Sequence, residues 1–257
     1  MNRTLVLMYH AVDEPRSTAE ARFCVRPAAF REQMKWLLCA GYRPVSADRL
    51  VTALRQDTPL PPRAIVVTFD DGFECFYRNA LPILVELGIP ATMFAVAGKL
   101  GGTNDWMQAK GWPARRLMDA AQLRGLQGQG ITIGCHGLTH VAMPTIDDMQ
   151  LRAETTTARE VLSRATGSEV TLFAYPHGAQ GARERQAVQT AGFTAAFSTM
   201  SGFNNTEVDP FALRRIDVYG SDALTTFRRK VGFGVNRIRR IDLLHYYIQR
   251  VRARLHG

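Results

Sequence analysis

The chain has 257 residues, 46% of them hydrophobic, which is enough apolar content for one large core. No run of 18 apolar residues occurs, so the sequence offers no membrane-spanning helix. The net charge of +9 lies mostly in residues 221–257, which hold nine Lys or Arg against two Asp; the first 220 residues carry only +2, and no aromatic-interleaved basic patch or DNA-reading motif supports nucleic acid as a partner.

Elements alternate along the chain. A strand is predicted over 5–9, closing on Tyr9-His10. His10 could point into a cleft at the strand's end, which makes it a candidate for a catalytic or substrate role beside the commoner structural one. A helix follows over 27–39, with Pro27 in its first turn and Gly41 beyond its end. Ser46 can cap a second helix through residue 55, ahead of a Pro-rich connector. The apolar, β-branched run 63–69 reads as a buried parallel strand ending at Asp70-Asp71-Gly72. A helix over 76–87 stops near Gly88, and a strand covers 91–96. After the loop Gly101-Gly102-Thr103-Asn104-Asp105-Trp106 come a helix near 117–127 and a strand 131–135 that runs into His136. A long helix over 147–165, a strand 171–175, a helix 183–191, and strands 193–198 and 213–218 complete the series. Repeated βα units imply a parallel sheet, closed or nearly so.

Two clusters carry chemistry: Thr68-Phe69-Asp70-Asp71-Gly72 and His136-Gly137-Leu138-Thr139-His140. A catalytic zinc takes three protein ligands from His and Asp or Glu and leaves a position for water. Asp71, His136 and His140 would fill those three places, with Asp70 left over as a base. The spacing of the two histidines puts both imidazoles on one face if the segment is a helical turn.

These motifs resemble those of the polysaccharide deacetylase family, the NodB-homology domain or carbohydrate esterase family four. The family's first motif, Thr-Phe-Asp-Asp-Gly, is matched in full by Thr68 to Gly72. Its second, His-(Ser/Thr)-x-x-His, is matched by His136 to His140, with Gly137 in place of the hydroxyl residue. The resemblance implies that Asp70 is the general base and that Asp71, His136 and His140 hold a divalent metal, Zn2+ first, with Co2+ or Ni2+ as alternatives.

A third segment, Phe173-Ala174-Tyr175-Pro176-His177-Gly178, is similar to the family's cleft-lining Arg-x-Pro-Tyr-Gly motif. It makes Tyr175 and Pro176 substrate contacts and the His177 backbone N–H an oxyanion donor. It lacks the Arg that would orient Asp70. The family's late Leu-x-His motif, source of a general acid, is also missing; the corresponding place reads Leu213-Arg214-Arg215-Ile216-Asp217-Val218, which leaves His10 or His177 as the acid. Asn-Asp-Trp loops occur in the subgroup that begins with a Tyr-His strand, so Asp105 and Trp106 are candidate sugar contacts.

The resemblance covers roughly residues 5–218 and narrows the fold to the family's distorted (β/α) barrel of about seven strands. A catalytic domain over 1–220 and a C-terminal extension over 221–257 are expected. The implied reaction is removal of N-acetyl groups from an amino sugar of N-acetylglucosamine type, free, lipid-linked or nucleotide-linked, in exopolysaccharide synthesis. The alternatives are hydrolysis of a small formyl or cyclic amide, and a catalytically impaired sugar-binding relative. In the extension, Ile238, Ile241, Leu244, Ile248, Val251 and Leu255 recur at helical spacing among arginines, a pattern suited either to an anionic membrane surface or to packing on the barrel. Four cysteines without Cys-x-x-Cys spacing, and no signal-peptide pattern, lead to the expectation of a reduced, cytoplasmic protein, peripheral at the membrane's inner face if the extension binds there.

Overall fold

A computed structural model describes residues 3–237. In chain order the elements are β1 (Leu5–Tyr9), β2 (Ala11–Val12), β3 (Cys24–Val25), α1 (Pro27–Cys39), β4 (Arg43–Pro44), α2 (Ala47–Gln56), β5 (Ala64–Phe69), α3 (Leu81–Glu86), β6 (Ala91–Ala95) and α4 (Ala120–Gln127). There follow β7 (Ile131–Cys135), α5 (Asp148–Arg152), α6 (Ala158–Thr166), β8 (Leu172–Ala174), α7 (Ala182–Thr190), β9 (Ala195–Phe197), β10 (Ile216–Asp217) and α8 (Leu224–Phe233).

Seven parallel strands, in the order β10-β1-β5-β6-β7-β8-β9, curl into a half-barrel, and β4 pairs with the start of β5. An isolated parallel bridge from Phe197 to Leu213 brings the end of β9 against the approach to β10. β1 and β5 are buried along their whole length, as strands covered on both faces must be. Their alternation sorts the core into two. Leu5, Leu7, Tyr9, Ile65, Val67 and Phe69 pack outward with Phe30, Met34 and Leu37 of α1. Val6, Val66, Phe94, Leu172, Phe197 and Leu213 meet inside the curl. Gly134 is needed there, because a Cβ at that position would lie 2.4 Å from the Phe94 ring.

The same two-residue period, carried past the strand ends, decides what faces the mouth of the curl. Val6 and Met8 lead to His10, Val66 and Thr68 to Asp70, Gly134 to His136, and Leu213 to Arg215 and Asp217.

Local chemistry sets the helix ends. Ser46 Oγ accepts the Arg49 N–H at 3.2 Å, and Asp119 and Asp147 form capping boxes with Gln122 and Gln150. The helix expected from 117 starts at Ala120 because Arg116 and Leu117 are drawn into antiparallel bridges with Thr103 and Phe73. The long helix expected over 147–165 is continuous but contains a π turn, Ala153–Thr157, in which Glu154 and Thr155 are buried.

The first part of the expected extension packs on the barrel: α8 lies against α1, with Phe227 and Val231 in the outer core. Buried Lys230 donates to Asp222 Oδ2 at 2.5 Å and to the Asp217 carbonyl at 3.0 Å. The apolar stripe from Ile238 to Leu255 lies outside the described residues. Among the described residues, no helix is long and apolar enough to cross a membrane.

Candidate active site

The paired carboxylates diverge because the backbone turns between them. The Asp70 N–H donates to the Tyr9 carbonyl at 3.0 Å, extending the sheet ladder, so its side chain keeps the inward parity of the strand. Asp71 then takes a left-handed conformation, φ 76°. This conformation costs a side-chain-bearing residue about 1–2 kcal/mol. Of the five described non-glycine residues with positive φ, three are Asp71, His140 (68°) and His177 (59°), which concentrates strain at one cleft.

Asp70 is buried and gripped by a residue not singled out from the sequence. Arg215 Nη1 and Nη2 donate to Asp70 Oδ1 and Oδ2 at 2.7 and 2.8 Å, and Arg215 Nε donates to the Ser198 carbonyl at 2.9 Å. Burial would raise the Asp70 carboxyl, but the Arg215 guanidinium, with help from His136, outweighs it and holds the group below its ordinary value. The orienting arginine missing from the third motif is thus supplied by the run just before β10. In the sequence it stands beside Arg214 in a run half of whose residues are charged, and only the bridge of Leu213 to Phe197 shows that it shares the inward parity of Leu213.

Asp71, His136 and His140 lie beside this pair, all buried, each with a ligand atom within 4.8 Å of the others'. His140 Nε2 and His136 Nε2 stand 3.1 and 3.5 Å from Asp71 Oδ1, an oxygen that nevertheless has no hydrogen-bond partner. His136 Nδ1 lies 2.8 Å from the Ala174 carbonyl, so its proton belongs there and Nε2 keeps its lone pair for a metal. Burial pushes the His136 imidazole down to about 4, against the pull of Asp70. Burial would raise Asp71, but His140 and the other imidazoles hold it well below the carboxylate range. A His136 imidazole kept neutral by burial, an ionised carboxylate and an unpartnered buried oxygen fit a divalent cation.

The helical turn expected for the second motif is absent: residues 136–140 form a loop with Gly137 at φ 77° and His140 at φ 68°. The loop is shaped by Glu154, from the π turn. Its carboxylate accepts the Leu138 N–H at 2.7 Å, the Thr139 N–H at 3.1 Å and the Thr139 hydroxyl. A Cβ on residue 137 would sit 2.6 Å from Glu154 Oε2, so glycine is required by the carboxylate that grips the loop. A glutamate inside a long helix gave no sequence signal for this.

The cleft, about 300 Å3, is lined by both aspartates and both metal-site histidines together with His10, His177, Tyr175 and Trp106. Trp106 stacks on His140 at 4.6 Å, and the His177 ring, partly covered there, packs edge-on to His140 at 4.7 Å. Burial lowers the His177 imidazole, and nearby His140 and Lys110 add to the effect. Asp217, unremarked in the sequence reading, lines the same cleft and is raised by burial against the opposing charge of His10. Two expected contacts lie elsewhere. Asp105 turns to Lys99, 2.6 Å away, and Pro176 is buried beneath the cleft against Gly137. Tyr175 is pinned by its hydroxyl, which donates to the Phe211 carbonyl at 3.0 Å.

A parallel α/β half-barrel with a carboxylate–histidine cluster at the carboxyl ends of its strands defines the class, and within it the chain belongs to the polysaccharide deacetylase family, whose sequence model matches residues 57–196. The Escherichia coli K12 poly-beta-1,6-N-acetyl-D-glucosamine N-deacetylase is 25% identical over 283 residues, covering 96% of this chain; the chain spans 42% of that protein's length. Among solved structures, the Streptococcus pyogenes deacetylase PplD in complex with acetate superposes with a TM-score of 0.77 at 21% identity, covering 89% of this chain and 98% of that one. IcaB from Ammonifex degensii gives 0.76 at 22% identity, covering 91% and 97%. The expected barrel of about seven strands is the one these structures share.

Proposed function

We propose that the chain is a metal-dependent hydrolase that removes N-acetyl groups from an amino-sugar polysaccharide of N-acetylglucosamine type, giving acetate and a free amine. The observation that carries this reading is the position of Asp70: its Oδ2 lies 3.9 Å from His136 Nε2, beside the Asp71, His136 and His140 cluster, while its own oxygens are taken up by Arg215. A carboxylate so placed is a base rather than a ligand.

A divalent ion, Zn2+ first among the candidates, would be held by Asp71, His136 and His140 and would supply Lewis acidity and a water of lowered pKa. Asp70, kept ionised by Arg215, takes the proton of the attacking water. The His177 N–H, on its strained turn, faces the oxyanion that forms as water adds to the acetamide carbonyl. His10, with Asp217 across from it, gives a proton to the departing amine. His177, lowered first by desolvation and further by Lys110 and His140 nearby, is the weaker choice of acid. The C–N bond breaks, the acyl carbon keeps the water oxygen, and the amine leaves protonated.

The test is acetate release from N-acetylglucosamine oligomers set against a panel of small formyl and cyclic amides, with metal content measured in parallel. Asp71→Ala and His136→Ala should lose both the metal and turnover. Preference for the small amides, or full activity after the metal is stripped, would overturn the reading.

A further inference from the structure

Among the described residues, β10 has a strand on one side only. It pairs with β1, with Met8 opposite Asp217, and the Val218 N–H donates to the Met8 carbonyl at 3.0 Å. Successive residues of a strand turn their backbone groups to opposite sides, so the N–H and C=O of Asp217 face the open edge of the sheet. Backbone groups left unpaired in a half-buried strand are costly. Both partners here come from beyond residue 220. The Asp217 N–H donates to Asn236 Oδ1 at 2.8 Å, and the Asp217 carbonyl accepts from Lys230 Nζ at 3.0 Å.

Asn236 reaches the strand because of how α8 ends. Gly234 closes the helix in the left-handed conformation, φ 68°, with its N–H on the Lys230 carbonyl at 2.8 Å. A Cβ at this position would lie 2.5 Å from the Phe203 ring, so the turn that brings the chain back to β10 requires glycine. Lys230, buried one turn earlier, also donates to Asp222 Oδ2, and that oxygen accepts the Tyr219 N–H at 2.9 Å. The end of β10 is thus held from its open side by α8 and the turn that follows.

The hydrogen bonds also fix which way the Asn236 amide points. A backbone N–H can only donate, so the atom that meets it is the amide oxygen, and the NH2 is left as a donor. It donates to Asp217 Oδ2. One side chain therefore grips Asp217 at main chain and carboxylate together. A donor on a carboxylate favours its ionised form, and burial pushes the Asp217 carboxyl up against the pull of His10 first, then of the Tyr219 hydroxyl, Arg215 and Lys230. Asp217 and His10 both line the cleft, and Asn236 does not.

We propose that Asn236 is a positioning residue for proton delivery to the departing amine: it fixes the Asp217 carboxylate facing His10 and makes residues 221–236 part of the catalytic unit rather than an appendage to it. The proposal rests on the reading of the chain as a deacetylase with His10 as its acid.

The experiment compares two reactions of the metal-loaded protein: acetate release from an N-acetylglucosamine tetramer, and the metal-dependent part of 4-nitrophenyl acetate hydrolysis. The sugar amine must be protonated as it leaves, whereas 4-nitrophenolate leaves without a proton, so the ratio of the two rates reads the acid and not the metal or the base. Asn236→Ala should lower that ratio about tenfold, through kcat more than KM. Asn236→Asp keeps the shape and the acceptor, loses the donor, and should lower it at least as far. Asp217→Ala should lower it too, and adding Asn236→Ala to Asp217→Ala should lower it no further, because Asn236 acts through Asp217. An unchanged ratio in either Asn236 variant, whether both rates hold or both fall together, overturns the proposal. A double variant worse than Asp217→Ala by the full tenfold does so too, and wild-type acetate release from the tetramer then leaves the deacetylase reading standing. No acetate from the tetramer with wild-type protein sinks that reading and the positioning role with it.

Discussion

Arg215 and Asp70 are separated by 145 residues in sequence, yet they share two hydrogen bonds of 2.7 and 2.8 Å with side chains 0% and 2% exposed. The fork does two things at once: it keeps the proposed base ionised, and it occupies both carboxylate oxygens so that the group keeps one orientation.

Replacing Arg215 separates these roles. Arg215→Met leaves a buried carboxylate without its cation, so the Asp70 pKa rises. A base works when deprotonated, so the acid limb of the pH–rate profile should move to higher pH, and activity at neutral pH should fall by about 100-fold. Arg215→Lys keeps the charge and loses the fork; it should restore the position of the limb more than the rate. Stopped-time acetate assays across pH read both.

Gly137 and Glu154 constrain each other. Gly137→Ala forces a Cβ at φ 77° to within 2.6 Å of the Glu154 carboxylate, which must release the loop carrying His140. Metal affinity should weaken by about 10- to 100-fold in chelator competition, with the overall fold retained by circular dichroism.

The alternation that makes strands also made most of the site legible. The apolar runs ending at His10, Asp70 and His136 located both the sheet and three of its mouth residues, because side-chain parity continues one step past a strand's end. What could not be read depended on backbone sign and on distant partners. The positive φ of His140 and the π turn under Glu154 turned an expected helical turn into a clamped loop. Arg215 stood in plain view, but only the pairing of Leu213 with Phe197 shows that its parity is inward. Asp105 was grouped with Trp106 by adjacency, and the local turn sends the two apart, to Lys99 and to His140.

Stability in acid should depend on the buried fork in which Arg115 Nε and Nη2 donate to the two Glu20 carboxylate oxygens at 2.6 and 2.8 Å. Burial alone would raise Glu20, but the bonds from Arg115 and from the Arg16 N–H hold it below its ordinary value. A depressed native pKa contributes stability fully above the unfolded value, about 4.3, and loses it as pH falls through the native value. Urea melts of the wild type should therefore weaken below about pH 4.3 more steeply than those of Glu20→Gln. At neutral pH, Glu20→Gln should be less stable by about 1–3 kcal/mol, because buried Arg115 keeps only the partly exposed Asp13 as a carboxylate partner.

The eight arginines of residues 221–257, with Lys230 set aside as buried against Asp222, should bring the protein to anionic vesicles at low salt and release it as salt rises. Co-sedimentation with neutral vesicles as well as anionic ones separates charge attraction from general adsorption.

The most direct measurement pairs metal content with acetate release for the wild type and Asp70→Asn on an N-acetylglucosamine tetramer. Asp70→Asn should retain one divalent ion per chain, held by Asp71, His136 and His140, and release acetate at least about 100-fold more slowly. Wild-type turnover in Asp70→Asn with its metal in place would contradict the assignment of Asp70 as base, and with it the account of why Arg215 holds that carboxylate.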